Sequence, residues 1–155
     1  MQESHSLVIN ISFFVLLVIM FFLNYSNLLS DNLDFSVSIL AILTTLMLLM
    51  SKNTVILDIA HFLYCFVYLF TVSFMSKNSY LLGLNIVMIS VIIFTRHYFN
   101  GCLLNEKQNH EGYFSDLNDK IKKYLVFWNW DYLFPIIGIV SLIRFLKLKG
   151  YQLKL

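Results

Sequence analysis

The chain has 155 residues, of which 59% are hydrophobic and 13% are charged, and its formal net charge is +2. A soluble domain is about half apolar and about a quarter charged, so this composition predicts an integral membrane protein. The small net charge argues against nucleic acid as a partner. The sequence also lacks a glycine-rich phosphate loop, CxxC and HExxH, which excludes the enzyme classes that those motifs define.

The first apolar run begins close to the N-terminus but does not have the pattern of a secretory signal peptide. Glu3 precedes the run, no Lys or Arg does, and no small-x-small cleavage site follows it. We therefore predict that this run is a permanent first membrane span.

Four segments meet or approach the roughly 20 apolar residues that a helix needs to cross the hydrocarbon. They cover residues 7–28, 34–50, 55–75 and 79–99, and short polar links join them. Such short links make neighbouring helices antiparallel. The sequence therefore predicts an all-α membrane protein with a four-helix transmembrane bundle over residues 1–100.

Residues 101–125 form the only extended polar region. Apolar side chains recur there at helical spacing, opposite the basic residues Lys120, Lys122 and Lys123. This pattern predicts an amphipathic juxtamembrane helix that binds the surface of the lipid bilayer. The alternative is a solvated connecting helix packed on a partner.

Residues 126–155 are predicted to be an aromatic-rich membrane segment with a basic tail. Trp128 and Trp130 belong to an aromatic cluster of the kind found at headgroup level, so they are also predicted to bind the membrane surface. Only residues 133–146 then remain as hydrocarbon, and Pro135 and Gly138 interrupt them. The segment is therefore expected to be a fifth short helix, either tilted or re-entrant.

The basic residues bear on the number of crossings, because cytoplasmic loops are enriched in Lys and Arg. With four crossings, both basic regions lie on the side that holds the two termini, and only Lys77 lies opposite. With five crossings, the two sides are nearly equal in basic residues. This asymmetry favours four spans with a non-crossing fifth segment.

Polar side chains from three segments are expected at one level of the bundle. Asp58 and His61 lie one helical turn apart in the third span, and Cys65 and Tyr68 continue the same face. Each ionisable group in hydrocarbon costs about 2.5–3.5 kcal/mol on insertion scales, so each needs compensation. The predicted polar cluster consists of Asp58, His61, Arg96, His97, Asn100 and Asp131.

Three interpretations of this cluster remain open. In the first, Asp58 pairs with Arg96 and fixes the helix register. In the second, Arg96 and nearby lysines contact a lipid phosphate or an acidic partner. In the third, Asp58, His61, His97 and Cys102 supply ligands for a metal or haem, or carry protons. No residue is assigned as catalytic, and we expect no cofactor.

The predicted function is non-enzymatic: a structural or accessory subunit of a larger membrane assembly, with the bilayer and other membrane-protein subunits as partners. The alternative is a membrane-embedded enzyme or a proton or ion carrier that uses the polar cluster. The chain has 15 Phe, 9 Tyr and one Pro. An AT-rich genome produces this bias, which fits a respiratory-type complex of a protist mitochondrial inner membrane, or a viral or host membrane.

Overall fold

The computed structural model describes residues 2–99 and 130–151, and this part of the chain is helical without strands. The all-α prediction is confirmed, and the predicted segments agree with the first four helices to within a few residues. Predictions that concern residues 100–129, including the amphipathic helix and the residues Asn100, Cys102, Lys120, Lys122, Lys123 and Trp128, lie outside the described residues. The helices are α1 (Gln2–Tyr25), α2 (Asn32–Met50), α3 (Thr54–Met75), α4 (Ser79–Phe99) and α5 (Trp130–Leu148).

The polar links contain the residues that begin the next helix. The Asp31 carboxylate accepts a hydrogen bond from the Leu33 N–H at 2.9 Å at the start of α2. The side-chain oxygen of Asn53 caps α3 in the same way, and that of Asn78 caps α4. Since Asp and Asn are favoured N-cap residues, each link both ends one helix and starts another.

Three helices are long and apolar enough to cross a membrane within the described residues: α2, α3 and residues 79–98 of α4. The apolar part of α1 that was searched, Asn10–Tyr25, is shorter. The structure thus supports a multi-pass membrane protein, whereas the count of four spans is not confirmed.

The two ends of the bundle are defined by contacts between links. At one end, the Asn78 amide donates to the Leu28 carbonyl at 2.6 Å, and the Lys77 ammonium lies 3.3 Å from the Asp31 carboxylate. We call this the Lys77 end. The opposite end, which holds the link between α2 and α3, is called the Lys52 end.

The helices pack in the spatial order α1, α2, α3, α5, α4. Helix α2 packs against both α1 and α3, while the second half of α3 packs against α5 and α4. Helix α5 lies antiparallel along α4, because Asp131 meets Arg96 at the Lys52 end and Phe145 lies beside Gly83 near the Lys77 end. The last helix in sequence is therefore inserted beside the third and fourth.

Helix α5 differs from the predicted short or re-entrant segment. It is one continuous helix of 19 residues, without the reversal that a re-entrant segment requires, and its two ends lie at opposite ends of the bundle. Pro135 lies in the second turn, where its missing N–H removes only a bond to the carbonyl of Asp131. Gly138 allows close packing on α4, since a Cβ there would lie 3.2 Å from Ile89. Neither residue therefore breaks the helix.

Candidate functional site

One face of α3 carries the polar groups of the bundle interior. Asp58, His61, Cys65 and Tyr68 are all buried, with exposed fractions between 0% and 8%. The four side chains that the sequence places on one face of α3 are therefore all in the interior of the protein. A separate face of α3 carries the stacked rings of Phe62, Phe66, Phe70 and Phe74.

The middle of α3, Leu63–Tyr68, is a π-helical turn. It carries Tyr64 and Tyr68, whose rings stack with their centroids 5.2 Å apart, and the ring of Phe13 from α1 meets Tyr64 edge-on. Single π-helical turns inside α-helices occur frequently at functional sites. The turn thus makes the centre of α3 a candidate site in its own right.

Three buried hydroxyls in the described part of the chain have no hydrogen-bond partner. They belong to Tyr64 and Tyr68 on the π-helical turn and to Thr45 on α2, and α2 packs directly against that turn. Nearly all buried polar atoms in native proteins are hydrogen-bonded, so unpaired ones require an explanation.

A second polar group lies nearer the Lys77 end and joins three helices. The Asn85 amide of α4 donates to the hydroxyl of Ser73 on α3 at 2.8 Å and to that of Ser141 on α5 at 3.1 Å. The Ser141 hydroxyl in turn donates to that of Ser73 at 2.8 Å. All three residues are completely buried. We call them the Asn85 triad.

Arg144 adds a charged contact to this region. Its guanidinium donates to the backbone carbonyls of Ser73 at 2.8 Å and Ser76 at 2.6 Å. These carbonyls belong to the end of α3, where the last C=O groups of a helix lack intrahelical partners and carry partial negative charge. Arg144 therefore caps α3 from a neighbouring helix.

The predicted polar cluster is divided in the structure. Arg96 forms an ion pair with Asp131 of α5, with Nη2 and Oδ1 2.8 Å apart, whereas Asp58 and His61 lie on the half of α3 that packs against α2. The predicted pair between Asp58 and Arg96 is therefore wrong, because α5 occupies the position beside α4 and supplies the carboxylate. His97 is exposed. Trp130 begins α5.

The sequence interpretation missed the Asn85 triad and Tyr64, although it placed Tyr68 on the same face of α3 as Asp58 and His61. Asn85 was detectable as an isolated amide in a long apolar segment, because such residues usually form hydrogen bonds between membrane helices. Ser73 and Ser141 are too common in apolar helices to carry a signal. The π-helical turn has no marker in the sequence.

Neither a metal-ligand cluster among the described residues nor a similar known protein points to a function for the site. Among the described residues, no group of three or more His, Cys, Asp or Glu side chains is placed to hold a metal ion. No protein-family model matches the chain, and no curated protein or solved structure shows detectable similarity to it.

Proposed function

We propose that the chain is a multi-pass membrane protein in which all five helices cross the bilayer, and that it acts as an accessory subunit of a larger membrane assembly. The observation that carries this proposal is that polar side chains lie in the interior and large aromatic side chains lie on the surface, the reverse of a water-soluble protein. Completely buried positions include Asn85, Ser73 and Ser141, whereas Phe94 and Tyr98 are more than two-thirds exposed. In water this arrangement would be unfavourable, and in hydrocarbon it is the expected one.

A surface of α4 that no other described helix covers supports the role as a subunit. A shallow groove of about 570 Å³ runs along this helix, with Val87, Ser90, Phe94 and Tyr98 among its lining residues. Helix α4 packs on α5 elsewhere, and only α4 residues line this groove, so no other described helix covers it. Ser90 provides the small side chain that lets two membrane helices approach closely.

Size-exclusion chromatography with mass determination, after mild solubilisation from the native membrane, tests this proposal. The wild-type chain is expected in a complex of defined mass and stoichiometry. Ser90→Trp, which fills the groove, should release it, whereas Leu43→Trp on an exposed position of α2 should not. A wild-type chain that elutes alone, or equal release by both variants, would contradict the proposal.

A second candidate function is proton or ion transport, which the buried pair Asp58 and His61 favours. Ionisable residues inside a membrane bundle commonly mark ion pathways and proton relays. The interior of α3 continues this polar series from the Lys52 end towards the Lys77 end. Asp58 and His61 come first, Tyr64 and Tyr68 follow, and Ser73 is last.

Proteoliposomes with an imposed potassium diffusion potential and an internal pH dye test transport. If α3 carries protons, the wild-type chain should acidify or alkalinise the lumen according to the sign of the potential. Asp58→Asn and His61→Leu should abolish the signal, and His97→Leu, at an exposed position, should not. Absence of any signal from correctly folded wild-type protein would exclude proton transport by the chain alone.

A further inference from the structure

The centre of α3 combines a widened helical turn with buried hydroxyls that no described protein group satisfies. The side chain of Tyr64 is 1% exposed and that of Tyr68 is 0% exposed, and neither hydroxyl has a hydrogen-bond partner within residues 2–99 and 130–151. Burying a hydroxyl without a partner is unfavourable, because its hydrogen bonds to water are lost and not replaced. Two such hydroxyls side by side in a dry interior would be a substantial destabilisation.

We propose that this turn holds one or more buried water molecules, bound by the hydroxyls of Tyr64 and Tyr68. A buried water needs two to four polar partners, and two stacked tyrosines on one helix face provide two of them. Their ring centroids are 5.2 Å apart and the ring planes differ by 29°. Side chains four residues apart extend from the same face of a helix, so both hydroxyls belong to the same side of α3.

Thr45 is a further candidate ligand, on the neighbouring helix. Its hydroxyl is completely buried and has no hydrogen-bond partner among the described residues, and its helix α2 packs against the π-helical turn. The other threonine at the same depth, Thr44, differs in this respect. Its hydroxyl donates to the carbonyl of Leu40 at 2.9 Å and therefore has no need of water.

The site requires neither of the two proposed functions. If the chain is a subunit of an assembly, the bound water would hold α2 and α3 together. If the chain is a transporter, the water would supply mobile hydrogen-bonding groups between His61 and the Asn85 triad. The class of ligand is the same in both cases: a small neutral molecule that both donates and accepts hydrogen bonds.

Thermal unfolding of single tyrosine-to-phenylalanine variants in detergent or nanodiscs tests the site. If water satisfies the hydroxyls, Tyr64→Phe and Tyr68→Phe each remove a hydrogen bond and leave that water short of a partner. The unfolding midpoint should then fall by about 2–4 °C for a chain of this size. In a dry site the same changes remove an unsatisfied polar atom, so the midpoint should rise.

Tyr80→Phe provides the matched control, because Tyr80 is 54% exposed and its hydroxyl can reach solvent or headgroups. Its midpoint should stay unchanged. A rise, or no change, for both buried variants would overturn the proposal.

Hydroxyl-radical labelling in ¹⁸O-labelled water gives a second, independent measurement on the unaltered protein. Radicals generated at bound water should modify Tyr64 or Tyr68 despite their burial, with incorporation of the label from exchanged solvent. Phe13, which contacts Tyr64 and is 6% exposed, reports on background access to the same region. Labelling of the two tyrosines no greater than that of Phe13 would also count against the water site.

Discussion

The Arg96 guanidinium and the Asp131 carboxylate form an ion pair across α4 and α5, with Nε and Nη2 donating to the same oxygen at 3.1 and 2.8 Å. The Asp131 side chain is 65% exposed, so solvent or headgroups screen the attraction. Arg96 also lies over the ring of Phe134, 5.9 Å from its centroid. The pair therefore aligns two helices at the Lys52 end rather than neutralising a buried charge.

A double-mutant cycle on Arg96 and Asp131 should yield a small coupling free energy of about 0.2–1 kcal/mol, the range for exposed ion pairs. The changes are Arg96→Leu and Asp131→Leu, alone and together, and the free energy of unfolding is measured for each. The cycle on Arg96 and Asp58 is the control and should be additive, because these residues form no pair. Coupling with Asp58 that exceeds coupling with Asp131 would contradict the observed pairing.

The Asn85 triad should contribute more to stability than the exposed ion pair. Asn85→Leu keeps the approximate volume but removes the donor that bonds to Ser73 and Ser141. Hydrogen bonds between membrane helices average about 0.6 kcal/mol each and reach about 1.7 kcal/mol. We expect a total loss of about 1–3 kcal/mol in the free energy of unfolding.

Ser90→Ala is the matched control for Asn85→Leu on the same helix. The Ser90 hydroxyl is exposed and donates only to the carbonyl of Ile86 in its own helix, so its removal should change stability little. Equal effects of the two substitutions would show that the Asn85 triad does not hold α3, α4 and α5 together.

The helices were largely predictable because long apolar runs and short polar links act locally. The links around Asp31, Asn53 and Asn78 carry their own capping residues, so the ends of α2, α3 and α4 followed from the sequence. The path of α5 did not follow from the sequence. Its insertion beside α3 and α4 depends on contacts such as Gly138 against Ile89, which bring together residues about 50 positions apart.

The site was predictable only in part for the same reason. The periodicity of Asp58, His61, Cys65 and Tyr68 within one helix predicted a common face of α3, and all four residues are buried. The partner of Arg96 could not be chosen by depth alone, since Asp58 and Asp131 both suited a common level in the bundle. Selecting between them required the lateral order of the helices, and the sequence contains no local signal for that order.

Arg144 should be more sensitive to substitution than a basic residue elsewhere on α5. Its planar guanidinium bonds to two carbonyls at the end of α3, which a single ammonium cannot reproduce with the same geometry. Hydrogen bonds that involve a charged group contribute about 1.5–3 kcal/mol each. We expect Arg144→Met to lower the free energy of unfolding by about that amount or more, and Arg144→Lys to recover only part of it.

Lys147→Met serves as the control for Arg144, because Lys147 is exposed one turn further along α5. It removes the same charge without breaking a contact to α3. If Lys147→Met destabilises the protein as much as Arg144→Met, the effect comes from net charge and not from capping.

The proposed five crossings place the C-terminal end of α5 in the compartment that holds Lys77. Lys52→Cys, Lys77→Cys and Lys149→Cys, in a background without native cysteines, can be labelled with a membrane-impermeant maleimide in sealed vesicles. Position 149 should label from the same side as position 77 and from the opposite side to position 52. Labelling of 149 together with 52 would establish four crossings and a non-crossing fifth helix.

The link at the Lys77 end should make a pH-dependent contribution to stability through Asp31. The hydrogen bond from the Leu33 N–H, and then that from the Lys77 ammonium, hold the pKa of the Asp31 carboxyl below its ordinary value of 3.8. A group whose pKa is lower in the folded state stabilises the protein above its unfolded pKa. That stabilisation is lost as the pH falls through the folded value.

Asp31→Asn retains an oxygen that can cap α2 but removes the charge. The variant should therefore be slightly less stable than wild type at neutral pH, and the difference should shrink below about pH 4. Unfolding midpoints measured from pH 7 to pH 3 provide the comparison, and Lys77→Met identifies the share that comes from the ammonium. A difference between wild type and Asp31→Asn that stays constant over this range would mean that the carboxylate charge contributes nothing and that only the capping oxygen matters.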